Sequence, residues 1–172
     1  MAEKMRAVKI LMALALVLGL VACGAGQPPS KFKTYEGPPI TRIQVQKAER
    51  KMYMISGAQV VKVYDIALGF QPQGHKQFEG DGKTPEGTYI IDRRNPNSAF
   101  HLSLGVSYPN ANDRINALAN GKLPGGDIFI HGDSPRPKSQ RDWTWGCIAV
   151  TDAEIEDVYA MIRDGTVIQI LP

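Results

Sequence analysis

The chain is poor in cysteine and histidine, with two of one and three of the other in 172 residues. The cysteines are Cys23 and Cys147, and no close ligand pair such as CxxC or HxxxH occurs. That spacing argues against zinc, and no metal is expected. A charge of one sign is lacking too. Lys and Arg number 20, and Asp and Glu number 17. Lys4, Arg6, Lys9 and Glu3 fall in the first 22 residues, which leaves 17 bases against 16 acids in the rest. So even a balance gives no footing for nucleic acid as a partner. There is no Walker loop and no Rossmann glycine fingerprint, so no cofactor is expected. Internal repeats are absent as well.

The one long apolar run lies at the start. Residues 1–22 hold a basic stretch, MAEKMRAVK, and then ILMALALVLGLV. The run is short for a membrane span and ends in small residues, as an export signal does. Leu20-Val21-Ala22-Cys23-Gly24 resembles the bacterial lipobox, in which the cysteine is acylated and becomes the mature N-terminus. An ordinary cleaved signal with an incidental cysteine is the competing reading. Lipidated Cys23 implies a domain held at a membrane surface. Gly24 after it resembles outer-membrane sorting, with the domain facing the periplasm. Residues 23–39 are rich in Gly, Pro and polar side chains, and read as the lipidated cysteine and a flexible tether. The folded domain is expected over 40–172.

That domain reads as mainly β with some α. Ile43, Val45 and Lys51–Ile55 alternate apolar with polar residues, and Val60–Ala67 is β-branched and aromatic. Together they predict an opening β-meander. Gly69–Gly87 is a long Gly-rich connection, in which His75 reads as a solvated loop residue and which is a candidate cap over the site. A turn at Thr84–Gly87 leads into a strand at Tyr89–Ile91, and Phe100–Val106 alternates as another. His101 on that strand reads as a partnered structural side chain. A short helix is expected within Tyr108–Gly121, with Ile115, Leu118 and Ala119 turned inward. Thr151–Gly165 predicts a second helix. Thr151 and Glu154 make its capping box, Ile155, Val158, Tyr159 and Ile162 its apolar stripe, and Gly165 its stop. Thr166–Leu171 reads as a closing strand.

The chemistry concentrates in HGDSPRPKSQRDWTWGCIAV, residues 131–150. Strands before His131 and after Cys147 would bring the imidazole and the thiol together. An imidazole near a thiol can take its proton and make a nucleophile. The basic residues Arg136, Lys138 and Arg141 between them are expected to lower the thiol pKa and attract a carboxylate. The amides of Gly146 and Cys147 are the candidate oxyanion hole. Such a site suits acyl transfer through a thioester. The competing reading of Cys147 is a buried, inert thiol. Neither the flanks nor the chain order fit a papain-like protease.

His131, Thr144, Gly146 and Cys147, with Thr84-Pro85-Glu86-Gly87-Thr88-Tyr89 upstream, resemble the YkuD-type L,D-transpeptidases. Those enzymes carry a histidine, a loop, then Ser or Thr, His, Gly and Cys. The family's second histidine is Trp145 here, and the polar residue usual two places after the cysteine is Ala149. In this the chain is similar to the YafK-like branch. The resemblance implies a YkuD-like β-sandwich of mixed sheets with one or two short helices. It implies Cys147 as nucleophile, His131 as general base, and the Gly132 carbonyl or a nearby polar group to orient the imidazole. Arg141, Arg136, Thr144, Trp145 and Gly132 become candidate substrate-binding residues.

The implied substrate is a peptidoglycan stem peptide, with an amine as acceptor and a role in cell-wall remodelling. One alternative is a cysteine hydrolase that trims stems or releases an outer-membrane lipoprotein attached to peptidoglycan. Another, of a different class, is a non-catalytic lipoprotein that binds peptidoglycan.

Overall fold

Ile43, Val45, Met52 and Met54 are the apolar members of two alternating runs, and all four are fully buried. In the computed structural model, which describes residues 30–134 and 140–172, these runs are β1 (Arg42–Gln46) and β2 (Lys51–Ser56). β3 (Gln59–Asp65) completes the expected meander, each strand antiparallel to the one before. β4 is Gly87–Asn95, β5 Ser103–Val106, β6 Phe129–His131, β7 Ile148–Ala149 and β8 Val167–Leu171. They form one mixed sheet in the order β3-β2-β1-β8-β4-β5-β6-β7. β8 lies parallel to β1, β7 parallel to β6, and the other pairings are antiparallel. β4 links the two halves. Gly87–Ile90 pairs with β8, and Ile91–Asn95 pairs with β5, with an irregularity in register between Ile91 and Arg93.

The sheet curls until its ends meet. Beyond β3 the chain runs past β7, and Ala67 and Ala149 exchange two backbone hydrogen bonds of 2.9 Å. Thr144 extends the seam, donating to Leu68 O at 3.1 Å and accepting from the Phe70 amide at 3.0 Å. Side chains from the facing parts of the curl, among them Leu102, Leu104, Ile130, Ile148 and Ile168, form the core. Among the described residues two helices join the eight strands, as the resemblance implies.

The helices differ from expectation in detail. α1 (Ala111–Ala119) has its capping box at Asn110 and Asp113. Its inward face is Asp113 and Ala117, while Ile115 and Leu118 are each 62% exposed. The reason is polar. Tyr89 Oη donates to Asp113 Oδ2 at 3.0 Å, and His75 Nε2 lies 3.1 Å from Oδ1. That anchor sets the rotation of the helix and turns the apolar residues outward. α2 (Asp152–Met161) carries the expected Thr151–Glu154 box and buries Ile155 and Val158. It stops at Met161 rather than at Gly165. The Arg94 guanidinium donates to the carbonyls of Tyr159 and Ile162, and Ile162 leaves the helix in an extended conformation.

Phe32–Pro172 is one compact unit. Part of the stretch read as tether is therefore fastened to the domain. Lys33 Nζ reaches Ala153 O at 3.1 Å, Asp157 at 2.7 Å and Glu156 at 3.3 Å, and the Phe32 ring lies 6.3 Å from that of Tyr159. Cys23, the export signal and the lipobox lie outside the described residues, as do Arg136 and Lys138.

Candidate active site

Parallel pairing of β6 with β7 sets Ile130 against Ile148 and His131 against Ala149. One step back, Cys147 stands level with Phe129, whose amide donates to Cys147 Sγ at 3.4 Å. Side chains two apart on a strand share a face, so His131 and Cys147 point the same way. Both line a cavity of about 570 Å³ with Ala99, Phe100, Ser134, Trp143, Thr144 and Trp145.

The imidazole is tightly held. His131 Nδ1 lies 2.7 Å from Gly132 O. A carbonyl only accepts, so Nδ1 carries the proton and Nε2 is left with its lone pair. The ring packs between Phe100, with centroids 4.4 Å apart, and Trp143, at 5.6 Å. His131 is buried, and burial pushes its pKa below the usual histidine range. The Gly132 hydrogen bond offsets this only in part.

Gly132 has no free backbone group to offer a ligand. Its amide donates to Phe100 O at 3.0 Å and its carbonyl serves His131. A Cβ there would stand 2.5 Å from Asp152 Oδ1 and 2.7 Å from Phe100 O. Gly132 thus orients the imidazole through its carbonyl, one of the two roles read for it from sequence.

The thiol corrects an expectation. Burial pushes the Cys147 pKa up, to about 11, against a smaller opposing effect of the Phe129 amide. Among the described residues, the charges that act on it are Asp127, which raises the pKa further, and Lys76 and Arg93, which lower it. So the resting pair is a protonated thiol beside a neutral imidazole, not a preformed thiolate. Sγ also lies 3.4 Å from Asp127 O, to which the S–H donates.

The turn before Cys147 is braced from within. Thr144 Oγ1 donates to Cys147 O at 2.7 Å and accepts from the Gly146 amide at 3.2 Å. Thr144 is buried and its hydroxyl holds this turn, so it positions the cysteine. Of the two amides expected to form the oxyanion hole, that of Gly146 is given to Thr144. Gly146 has φ +124°, and a Cβ there would stand 2.6 Å from Lys83 O. Only glycine fits that contact.

Lys83 belongs to the long Gly69–Gly87 connection, which is an ordered wall. Lys47, fully buried, donates to Gly74 O at 2.7 Å, Thr84 O at 3.0 Å and Glu86 Oε1 at 2.8 Å. Thr84 Oγ1 accepts from the Gly69 amide at 3.0 Å. Within the wall, Asp81 takes the Lys76 ammonium at 2.9 Å and the amides of Gln77, Phe78 and Lys83. Burial opposes the Asp81 charge, but these donors outweigh it and hold its pKa low. His75 is part of the same construction rather than a solvated residue. Its Nδ1 accepts from the Glu86 amide at 2.9 Å and its Nε2 faces Asp113. The upstream Thr-Pro-Glu-Gly motif is therefore the floor on which the Gly146–Cys147 turn sits.

Of the remaining candidates, Arg141 is not in the cysteine's cavity. It lines a separate one of about 350 Å³ with Asp65, Asp133 and Glu154, and Trp143 is the wall between the two. Trp145 does line the site. It is 72% exposed, with its ring edge-on to Phe70 at 4.9 Å. Phe100 and Trp143 were not foreseen. Phe100 falls in a stretch read from sequence as strand, but β5 begins only at Ser103, and the positive-φ turn at His101 lays Phe100 on the imidazole. His101 itself is partnered, with Nε2 2.8 Å from Glu156 Oε1. Among the described residues, no three His, Cys, Asp or Glu side chains converge to hold a metal.

Three comparisons bear on this arrangement. The chain is 29% identical to the "Putative L,D-transpeptidase YafK" of Escherichia coli (strain K12), over 95% of this chain and 66% of that protein. It thus spans just under two thirds of this relative. Among solved structures, the fold is similar to Pgp2, a helical cell shape determining protein of Campylobacter jejuni. There the TM-score is 0.60 at 23% identity, over 79% of this chain and 49% of that one. It is also similar to Bd1075 of Bdellovibrio bacteriovorus, with a TM-score of 0.55 and 26% identity over 81% and 50% of the two chains. The model of the YkuD family, described as the L,D-transpeptidase catalytic domain, matches residues 40–170. With the curled mixed sheet and the His131–Cys147 cavity in place, that match places the chain in the YkuD L,D-transpeptidase catalytic domain family.

Proposed function

We propose that this chain is a cysteine-dependent acyltransferase that acts on peptidoglycan stem peptides through a thioester on Cys147. One observation carries the reading. His131 is locked with its proton on Nδ1, so its Nε2 lone pair and the Cys147 thiol serve one cavity. As substrate enters and excludes water, His131 Nε2 takes the thiol proton and Sγ attacks the carbonyl of the third, diamino acid residue of a tetrapeptide stem. The tetrahedral oxyanion collapses, the C–N bond breaks, and D-alanine leaves with the proton from the imidazolium. An acceptor amine then attacks the thioester, gives its proton to His131, and frees the thiol.

Water in place of the amine gives stem trimming; where the attacked carbonyl is joined to an attached lipoprotein, that protein's amine leaves instead of D-alanine, and water on the thioester completes its release. The export signal and lipobox support a domain lipid-anchored at Cys23, in the outer membrane and facing the periplasm. The testing experiment is mass spectrometry of the full chain in detergent, mixed with purified tetrapeptide muropeptides. An adduct on Cys147 is expected, lost in Cys147→Ala and slowed in His131→Ala. Turnover retained by Cys147→Ala refutes the reading. A crosslinked dimer among the products identifies the transpeptidase, and a tripeptide alone identifies the hydrolase.

A further inference from the structure

We propose that His101 and Glu156 form a positioning pair that sets the His131 imidazole through the backbone of Phe100. The proposal rests on reading His131 as the base for Cys147. His101 has φ +67°, a region that a non-glycine residue rarely enters. The Leu102 amide donates to Phe100 O at 2.8 Å, across His101. Together these make His101 the centre of a γ-turn with positive φ, the rarer and strained form. Such strain persists only where surrounding contacts hold it, and it gathers at functional sites.

The holding contact is visible. His101 Nε2 lies 2.8 Å from Glu156 Oε1, on α2. The turn has two products, both aimed at His131. It lays the Phe100 ring on the imidazole, with centroids 4.4 Å apart. It also presents Phe100 O to the Gly132 amide at 3.0 Å, and the same carbonyl takes Leu102. Gly132 O is the group that fixes the His131 tautomer. A relaxed turn at His101 would free both the ring's neighbour and its hydrogen-bond partner. Neither His101 nor Glu156 lines the cavity of Cys147, so they act through Phe100 and Gly132 and not on substrate.

The test needs no substrate. The full chain is alkylated at Cys147 with iodoacetamide across pH, the thiol losing its proton and the C–I bond breaking to release iodide. Wild type is expected to show a limb that disappears in His131→Ala; without that limb the base assignment itself fails, separately from this proposal. Glu156→Ala is expected to alkylate about tenfold more slowly and to shift the limb, because displaced catalytic groups lose rate steeply. Glu156→Gln keeps an acceptor for His101 and is expected to stay within about twofold of wild type.

Asp157→Ala is the control. It breaks the pairs that Asp157 makes with Lys33 and Lys62 and leaves the His101–Glu156 contact in place. It is expected to melt lower with unchanged alkylation. His101→Gly takes φ +67° freely but has no side chain for Glu156, and is expected to behave as Glu156→Ala. The proposal is overturned if Glu156→Ala or His101→Gly, folded, keeps the wild-type rate and limb. A loss in Glu156→Ala equal to that in Asp157→Ala overturns it as well. If Glu156→Ala does not fold, His101→Gly decides alone.

Discussion

A thiol held protonated by burial makes the folded protein weaker in alkali, and the size of that effect can be worked out. The folded Cys147 pKa is pushed up to about 11, from an ordinary 9.0. Between these values the unfolded chain has lost the proton and the folded one keeps it. The folded state therefore binds more protons, and stability falls as pH rises. Below pH 9 the contribution is fully present, and it is lost progressively towards pH 11. Two units at about 1.4 kcal/mol each give a loss of about 3 kcal/mol across the window. Tyr64, Tyr89 and Tyr108 are also raised by burial and weaken the fold in the same direction. They are common to wild type and Cys147→Ala, so the difference between the two isolates the thiol. The assay is urea unfolding of both proteins at pH 8 and pH 10.5. With a slope of about 2 kcal/mol per molar urea, the wild-type midpoint should fall by about 1 M more than that of the variant. Parallel behaviour of the two proteins would refute both the half-buried, protonated thiol and the resting state from which the proposed reaction starts.

Thr144→Val removes the hydroxyl that joins Cys147 O to the Gly146 amide, with a stability loss of about 1–2 kcal/mol from the buried groups left unpaired and Cys147 alkylation at least tenfold slower. Thr144→Ser should restore most of both, and an unaffected Thr144→Val would show that the turn stands without its brace. Lys47→Met strips three acceptors from the wall under the site, one of them a carboxylate partly open to water, with an expected loss of about 3 kcal/mol read as a fall in melting temperature of about 10 °C. A fall of only a degree or two would show that Thr84 and Glu86 hold the wall without it.

How far the sequence foretold this depended on the kind of signal. Alternation located β1 and β2, and the Thr151–Glu154 capping box located the start of α2, because these are local rules. His131 and Cys147 were legible because two short apolar runs flank them. What sequence could not carry was polar and long-range. The inward face of α1 follows from Tyr89 and His75, neither near it in the chain. The end of α2 follows from Arg94 on β4, 65 or more residues earlier. The thiol pKa was misread because charge counted along the 131–147 loop says nothing of burial, which the curl of the sheet decides. Trp143 and Phe100 became visible only once the turn at His101 placed one of them.

The seam between Ala67 and Ala149 has a consequence for how the protein comes into being. The two residues are far apart in the chain, and closing so long a loop is entropically costly and slow. Cys147 sits two residues from that seam. A chain with β1, β2 and β3 paired but the seam still open would have no braced turn, no wall beneath Gly146 and no cavity. The His131–Cys147 cavity and the finished fold therefore arrive in the same event. In native-state hydrogen exchange, the amides of Ala67 and Ala149 should open together, and every opening should take the proposed acyl-transfer site with it.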